Sequence, residues 1–158
     1  HPKIRTGVLT HTLLCAYIRV SEIAIDNTEV TVSAGRVLVV DDDPDFVEIT
    51  RIILQAHGFQ VASAASGSQA MEMMRKEPPD VVILDVMMQG ATDGYQVSQM
   101  MHDEPQLSRI PVLMVTSIMS SPLAAQFPTD EYLPIDGYLT KPVNPTELVE
   151  RVRGLVKR

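Results

Sequence analysis

A chain of 158 residues, 45% of them hydrophobic, is long enough to bury one good core and too short for two full domains. A formal charge of −7, with only 13 scattered lysines and arginines, argues against the clustered basic footprint that nucleic-acid backbones require, so no nucleic acid is expected to bind through this chain. The lone Cys15 rules out an internal disulfide, and His1, His11, His57 and His102 fall at no zinc-ligand spacing, which points to a reducing, cytoplasmic setting.

Residues 1–35 read as an N-terminal extension. Leu9, Leu13, Tyr17 and Val20 share a helical face, and residues 22–32 alternate about Asp26 and Asn27 like a hairpin. The apolar stretch at 8–20 is too short to span a bilayer and is interrupted by His11 and Arg19, so no membrane segment is expected. From Arg36 the pattern changes. Short β-branched runs alternate with longer helical stretches, the mark of βα units around a parallel sheet.

Residues 36–40, "RVLVV", form the first strand, followed by Asp43 as helix cap and Pro44 as first helical residue. Phe46, Ile49, Ile53 and Leu54 give that helix an apolar face, and Gly58 ends it. A weaker strand follows at 60–64. A helix opened by Ser66 then runs through Ala70, Met73 and Met74 to Lys76, before Pro78 and Pro79. The run "VVILD" at 81–85 is uniformly apolar up to its last residue, as a strand covered on both faces should be. A helix over about 95–102, strands at 112–116 and 137–140, and a last helix opened by Pro145 complete a doubly wound five-stranded α/β domain over 36–158. Residues 117–134 hold Pro122, Pro128 and Pro134, which oppose a full-length helix there.

In an open parallel sheet, ligands bind beyond the carboxyl ends of the strands. Strand one delivers Asp41 and Asp42 to that rim, strand three Asp85, strand four Thr116 and Ser117, and strand five Lys141. Crowded carboxylates repel unless something positive joins them, and a set of hard oxygens suits Mg²⁺ or Mn²⁺ rather than zinc. A carboxylate beside such a cation can attack phosphorus and form an aspartyl phosphate, with Thr116 and Lys141 placed to donate to phosphoryl oxygens.

Four stretches, "VLVVDDDP", "VVILDVMM", "VLMVTS" and "GYLTKPV", occur in this order and together resemble the receiver domain of two-component response regulators. The resemblance covers roughly residues 36–157 and implies a sheet ordered 2-1-3-4-5 with five helices. It also implies that Asp41 and Asp42 hold Mg²⁺ with Asp85 and the Met87 carbonyl, that Asp85 is the phosphoacceptor, and that Thr116 and Lys141 contact the phosphoryl group. Tyr138 matches an aromatic switch position, and Lys141–Pro142 matches a peptide bond usually held cis. The implied partners are a histidine kinase or histidine phosphotransfer protein as donor and an output protein, with a homodimer as a candidate assembly. Catalysis would be directed only at the chain's own phosphorylation and dephosphorylation. With the sequence ending at Arg158, just after the last helix, output is expected through protein contact or a further phosphorelay.

Some positions depart from that pattern. Gln89 stands where the family commonly has proline, Gly94 comes one residue late, and Thr116 to Lys141 spans 141 − 116 = 25 positions, a few more than usual. Met87 and Ile118 lie two residues beyond Asp85 and Thr116, where apolar side chains cannot orient an attacking water, so slow loss of phosphate is expected.

Simpler roles and other classes remain from the residues themselves. Asp43 reads most simply as a cap, the methionines as adaptable packing, and His57 and His102 as residues favoured at helix C-termini. A haloacid-dehalogenase-type phosphohydrolase wants a second acid two residues after its nucleophile, a spacing met by Asp41 and Asp43; turnover of small phosphate esters would reveal it. A receiver-like binding module that is never phosphorylated would give no adduct with a small phosphodonor.

Overall fold

The computed structural model describes residues 33–88, 94–117 and 135–157. The helix and hairpin expected within 1–32, the loop around Gln89, and the segment 118–134 with Ile118 lie outside the described residues. The elements are β1 (Arg36–Val40), α1 (Pro44–Ala56), β2 (Gln60–Ala64), α2 (Gly67–Lys76), β3 (Val81–Asp85), α3 (Gly94–Asp103), β4 (Val112–Thr116), β5 (Gly137–Thr140) and α4 (Pro145–Val156). All strands pair in parallel, in the order β2-β1-β3-β4-β5. The five strands fall on the residues expected for them, and four helices lie among the described residues.

Local chemistry sets the helix ends. Asp43 Oδ1 accepts from the amides of Asp45 (3.0 Å) and Phe46 (3.4 Å), so its capping role is met. Pro44 opens α1 where a missing N–H costs nothing. Asn144 repeats the arrangement before Pro145, accepting from Thr146 (2.9 Å) and Glu147 (3.2 Å). Helix α1 ends at Gly58, whose φ of +86° lies where a side chain would be strained. His57 sits at that C-cap, its Nδ1 2.8 Å from the Ile53 carbonyl.

Alternation along the strands builds two cores. Val37, Val39, Val81, Ile83, Leu113 and Val115 face α1 and α4, while Leu38, Val40, Val82, Leu84, Val112 and Met114 face α2 and α3. Burial on both faces is why β1, β3 and β4 read as continuous apolar runs. The edge strand β2 is largely exposed. One expectation fails: Ile49 does not join the inward face of α1 but is 59% exposed, as is its neighbour Ile52 at 57%. Thr50 and Leu54 are the buried positions of that helix. The apolar residues of α1 cover more than one face, so spacing alone does not select the inward set.

The amino ends of two strand pairs are locked by the same device. Asp80, just before β3, donates its amide to the Arg36 carbonyl (2.8 Å) and accepts the Arg36 amide on Oδ2 (2.7 Å). Asp136, just before β5, donates to the Val112 carbonyl (2.8 Å) and accepts the Val112 amide on Oδ2 (2.9 Å). Each aspartate therefore brackets the first residue of the neighbouring strand and sets its register.

Candidate functional site

β1 and β3 are neighbours, with Val40 opposite Leu84, and the strand order reverses between them. Their carboxyl ends therefore open into the crevice where open α/β sheets bind ligands. Asp41 follows β1 and Asp85 ends β3; with Asp42, they bring one carboxylate oxygen each to within 4.8 Å of one another. Asp41 and Asp85 are buried, and Asp42 is exposed.

Each acid is held by specific donors. Asp41 Oδ1 accepts the Asp43 amide (2.9 Å), and its Oδ2 accepts Lys141 Nζ (2.7 Å). The same ammonium lies 3.8 Å from Asp85 Oδ2. Asp85 Oδ1 accepts the Met87 amide at 3.3 Å. Lys141 reaches the site because its own amide bonds the Thr116 carbonyl (2.9 Å), carrying the β4–β5 ladder one residue past Thr140. Thr116 is buried at the end of β4. The Lys141–Pro142 bond is cis.

Burial pushes the Asp85 carboxyl above its ordinary range, and the charges of Asp41 and Asp42 add to the rise. Lys141 and the Met87 amide act in the opposite direction without cancelling it. Lys141 by itself does not balance three carboxylates. Three convergent hard oxygens of like charge fit a small divalent cation such as Mg²⁺ or Mn²⁺.

The whole constellation coincides with a family match. The response regulator receiver domain family matches residues 37–153. The chain belongs to that family.

Among curated relatives, the DNA-binding response regulator MtrA of Mycolicibacterium smegmatis is 36% identical over 127 residues, which is 78% of this chain and 51% of that protein. The chain thus spans about half the length of the curated relatives it matches. A putative response regulator from Chloroflexus aurantiacus superposes with a TM-score of 0.68 at 34% identity, covering 78% of this chain and 98% of that one. The receiver domain of a signal transduction histidine kinase from Syntrophus aciditrophicus reaches a TM-score of 0.70 at 29% identity, covering 78% and 90%. Membership places this receiver in two-component signalling rather than among metabolic enzymes. Asp43, needed as the second acid of a haloacid-dehalogenase-type site, instead spends its side chain capping α1.

Of the residues expected at the site, Asp41, Asp42, Asp85 and Lys141 come together at the carboxyl rim of the sheet. Thr116 ends the adjoining strand and bonds Lys141 through the main chain. The Met87 side chain is 52% exposed, while its amide faces Asp85. Tyr138 lies on β5 opposite Met114 and is 55% exposed. Two neighbours escaped the sequence reading. The Phe46 ring lies over Lys141 Nζ at 4.2 Å, and Gly94 approaches the Asp85 backbone so closely that a Cβ there would sit 2.0 Å from the Asp85 carbonyl oxygen. Phe46 read only as one of the apolar residues of its helix, and Gly94 only as a family glycine displaced by one position.

Among the described residues, no helix is long and apolar enough to cross a membrane.

Proposed function

We propose that this receiver accepts a phosphoryl group on Asp85 from a histidine kinase or histidine phosphotransfer protein and passes the signal by a shift between two conformations. A carboxylate oxygen of Asp85 attacks phosphorus as the bond from phosphorus to the donor's imidazole nitrogen breaks, and the leaving imidazole recovers its electron pair. Mg²⁺ or Mn²⁺, held by Asp41, Asp42, Asp85 and the Met87 carbonyl, supplies charge neutralisation for the phosphoryl oxygens when bound. Lys141 turns from Asp41 toward the new phosphoryl group, a step supported by its position between the two acids. The Thr116 hydroxyl donates to another phosphoryl oxygen, and Tyr138, exposed on the strand that Lys141 directly follows, acts as the aromatic switch. The observation that carries this reading is the convergence of Asp41, Asp42 and Asp85 with one ammonium at the crevice between β1 and β3. Kinship with response regulators supports the phosphohistidine donor and a cytoplasmic setting. The residues from Arg36 onward form the receiver, with the preceding segment as an extension, and a homodimer is one assembly open to it.

Intact mass after incubation with acetyl phosphate tests the proposal. A single phosphoryl adduct that needs Mg²⁺ and is missing from Asp85→Asn is expected; an unmodified wild-type mass in every condition would sink it. Loss of that adduct is expected to be slow, because the thioether of Met87 cannot orient water. Met87→Asn should shorten the adduct's lifetime about tenfold, less than the roughly 10²–10⁴-fold of a full general acid or base, because asparagine orients the water without taking its proton. An unchanged decay rate would show that Met87 does not govern hydrolysis.

A further inference from the structure

Lys141 carries three N–H donors in a pocket that leaves its side chain only 21% exposed. Asp41 Oδ2 takes one side of the ammonium at 2.7 Å and Asp85 Oδ2 lies at 3.8 Å on another. The face of Phe46 closes a third, with Nζ 4.2 Å from the ring centroid. An aromatic face attracts a cation through its quadrupole, more strongly where water is excluded. It does so without adding a fourth negative charge beside Asp41, Asp42 and Asp85.

The ring is held by the same acid that holds the lysine. Asp41 Oδ1 accepts the Asp43 amide at 2.9 Å, and Asp43 Oδ1 in turn accepts the Phe46 amide at 3.4 Å. Behind, Phe46 packs partly buried against the core beneath α1 and α4. The aromatic wall and the ammonium are thus both referred to Asp41.

We propose that Phe46 is a positioning residue for Lys141, an aromatic wall that keeps the ammonium in the acidic pocket as it turns from Asp41 to the phosphoryl group on Asp85. The inference rests on Asp85 as phosphoacceptor. A hydrogen-bonding neighbour would tie the ammonium to one spot, whereas a ring face lets it slide between the two acids while remaining attracted. An aliphatic side chain of similar bulk would fill the space and lose the attraction.

The test uses the full chain with Mg²⁺ and the variants Phe46→Leu and Phe46→Tyr. The rate of phosphorylation by acetyl phosphate is measured beside the ¹³C-edited NMR signal of the Lys141 ε-methylene, assigned by its disappearance in Lys141→Met. The ring should shift that signal upfield in wild type and in Phe46→Tyr, and the shift should vanish in Phe46→Leu. Phosphorylation should slow about fivefold in Phe46→Leu, as loss of one cation–π contact implies, and return to near the wild-type rate in Phe46→Tyr. A wild-type rate in Phe46→Leu overturns the proposal. So does a slow Phe46→Leu whose lysine signal stays upfield, or a Phe46→Tyr as slow as Phe46→Leu. If wild type takes up no phosphoryl group, the phosphoacceptor reading fails, and an ε-methylene signal that does not respond to Phe46→Leu then removes the aromatic wall as well.

Discussion

Asp85→Asn, in buffer stripped of divalent cations, is expected to melt a few degrees above the wild-type chain at pH 7. Burial and the charge of Asp41 raise the folded-state pKa of Asp85 above the value of about 3.9 that it has unfolded. The folded state therefore holds that proton more tightly. Well below the unfolded pKa both states are protonated and Asp85 imposes no penalty; as pH climbs from there through the folded pKa, stability is lost and does not return at higher pH. Like charges at this spacing repel by about 3 kcal/mol at an effective dielectric near 20, and Lys141 offsets part of that. A net gain on the order of 1 kcal/mol follows, a few degrees in a domain of this size. Asparagine keeps an oxygen for the Met87 amide, and Lys141 keeps Asp41. Mg²⁺ should stabilise wild type more than Asp85→Asn. Thermal melts between pH 4 and 8, with and without Mg²⁺, decide the matter: if the mutant melts lower at pH 7, or its pH curve runs parallel to wild type, Asp85 is not under this strain.

Gly94→Ala should be the most damaging single methyl group in the described fold. A Cβ at this position would lie 2.0 Å from the Asp85 carbonyl oxygen, 2.9 Å from its carbonyl carbon and 3.0 Å from Val86 Cα. All three are main-chain atoms, so no rotamer change relieves the clash. The Gly94 amide also donates to the Val86 carbonyl at 3.3 Å, which binds the start of α3 to the residue after Asp85. Opening that contact costs at least the 1–3 kcal/mol or so typical of overpacking, and it moves the backbone that aims Asp85. Urea unfolding should show the loss, and the adduct with acetyl phosphate should form more than about tenfold slower, as expected when a reacting group is displaced by about 1 Å. Gly154→Ala supplies the contrast. Nothing lies within 4 Å of a Cβ there, and replacing glycine inside α4 should stabilise the chain by up to about 1 kcal/mol. A Gly94→Ala chain as stable and reactive as wild type would show that α3 does not rest on the Asp85 backbone.

Legibility in the sequence tracked burial. Strands β1, β3 and β4 announced themselves because both faces are covered and every residue between their polar ends is apolar. Helix α1 was recognisable from Asp43, Pro44 and Gly58, yet its inward face was misjudged at Ile49, since apolar residues run round more of the helix than the core requires. The acids and Lys141 were readable as strand-end residues, because a parallel sheet delivers all its carboxyl ends to one rim. What the pattern did not carry was pairing. Lys141 sits closer to Asp41 than to Asp85, and Phe46 looked like one more apolar position until its ring was found over that ammonium. Gly94 was noted as a family glycine one position late; the reason for it, a close approach to the Asp85 backbone across the fold, is invisible to local spacing. Asp80 and Asp136 share a signature, an aspartate immediately before an inner or edge strand, to which the sequence reading assigned no role.

Those two aspartates bear on how freely the domain can be rewritten. Because Asp136 re-registers the chain against Val112 just before β5 begins, the placement of Lys141 five residues after it is set from the opposite end of the sheet. The connection between Thr116 and Asp136 can then change in length at little thermodynamic expense, each doubling adding only about 0.6 kcal/mol of closure entropy. A lineage or a protein engineer is free to remodel that stretch for a new listener while the chemistry at the rim stays in place.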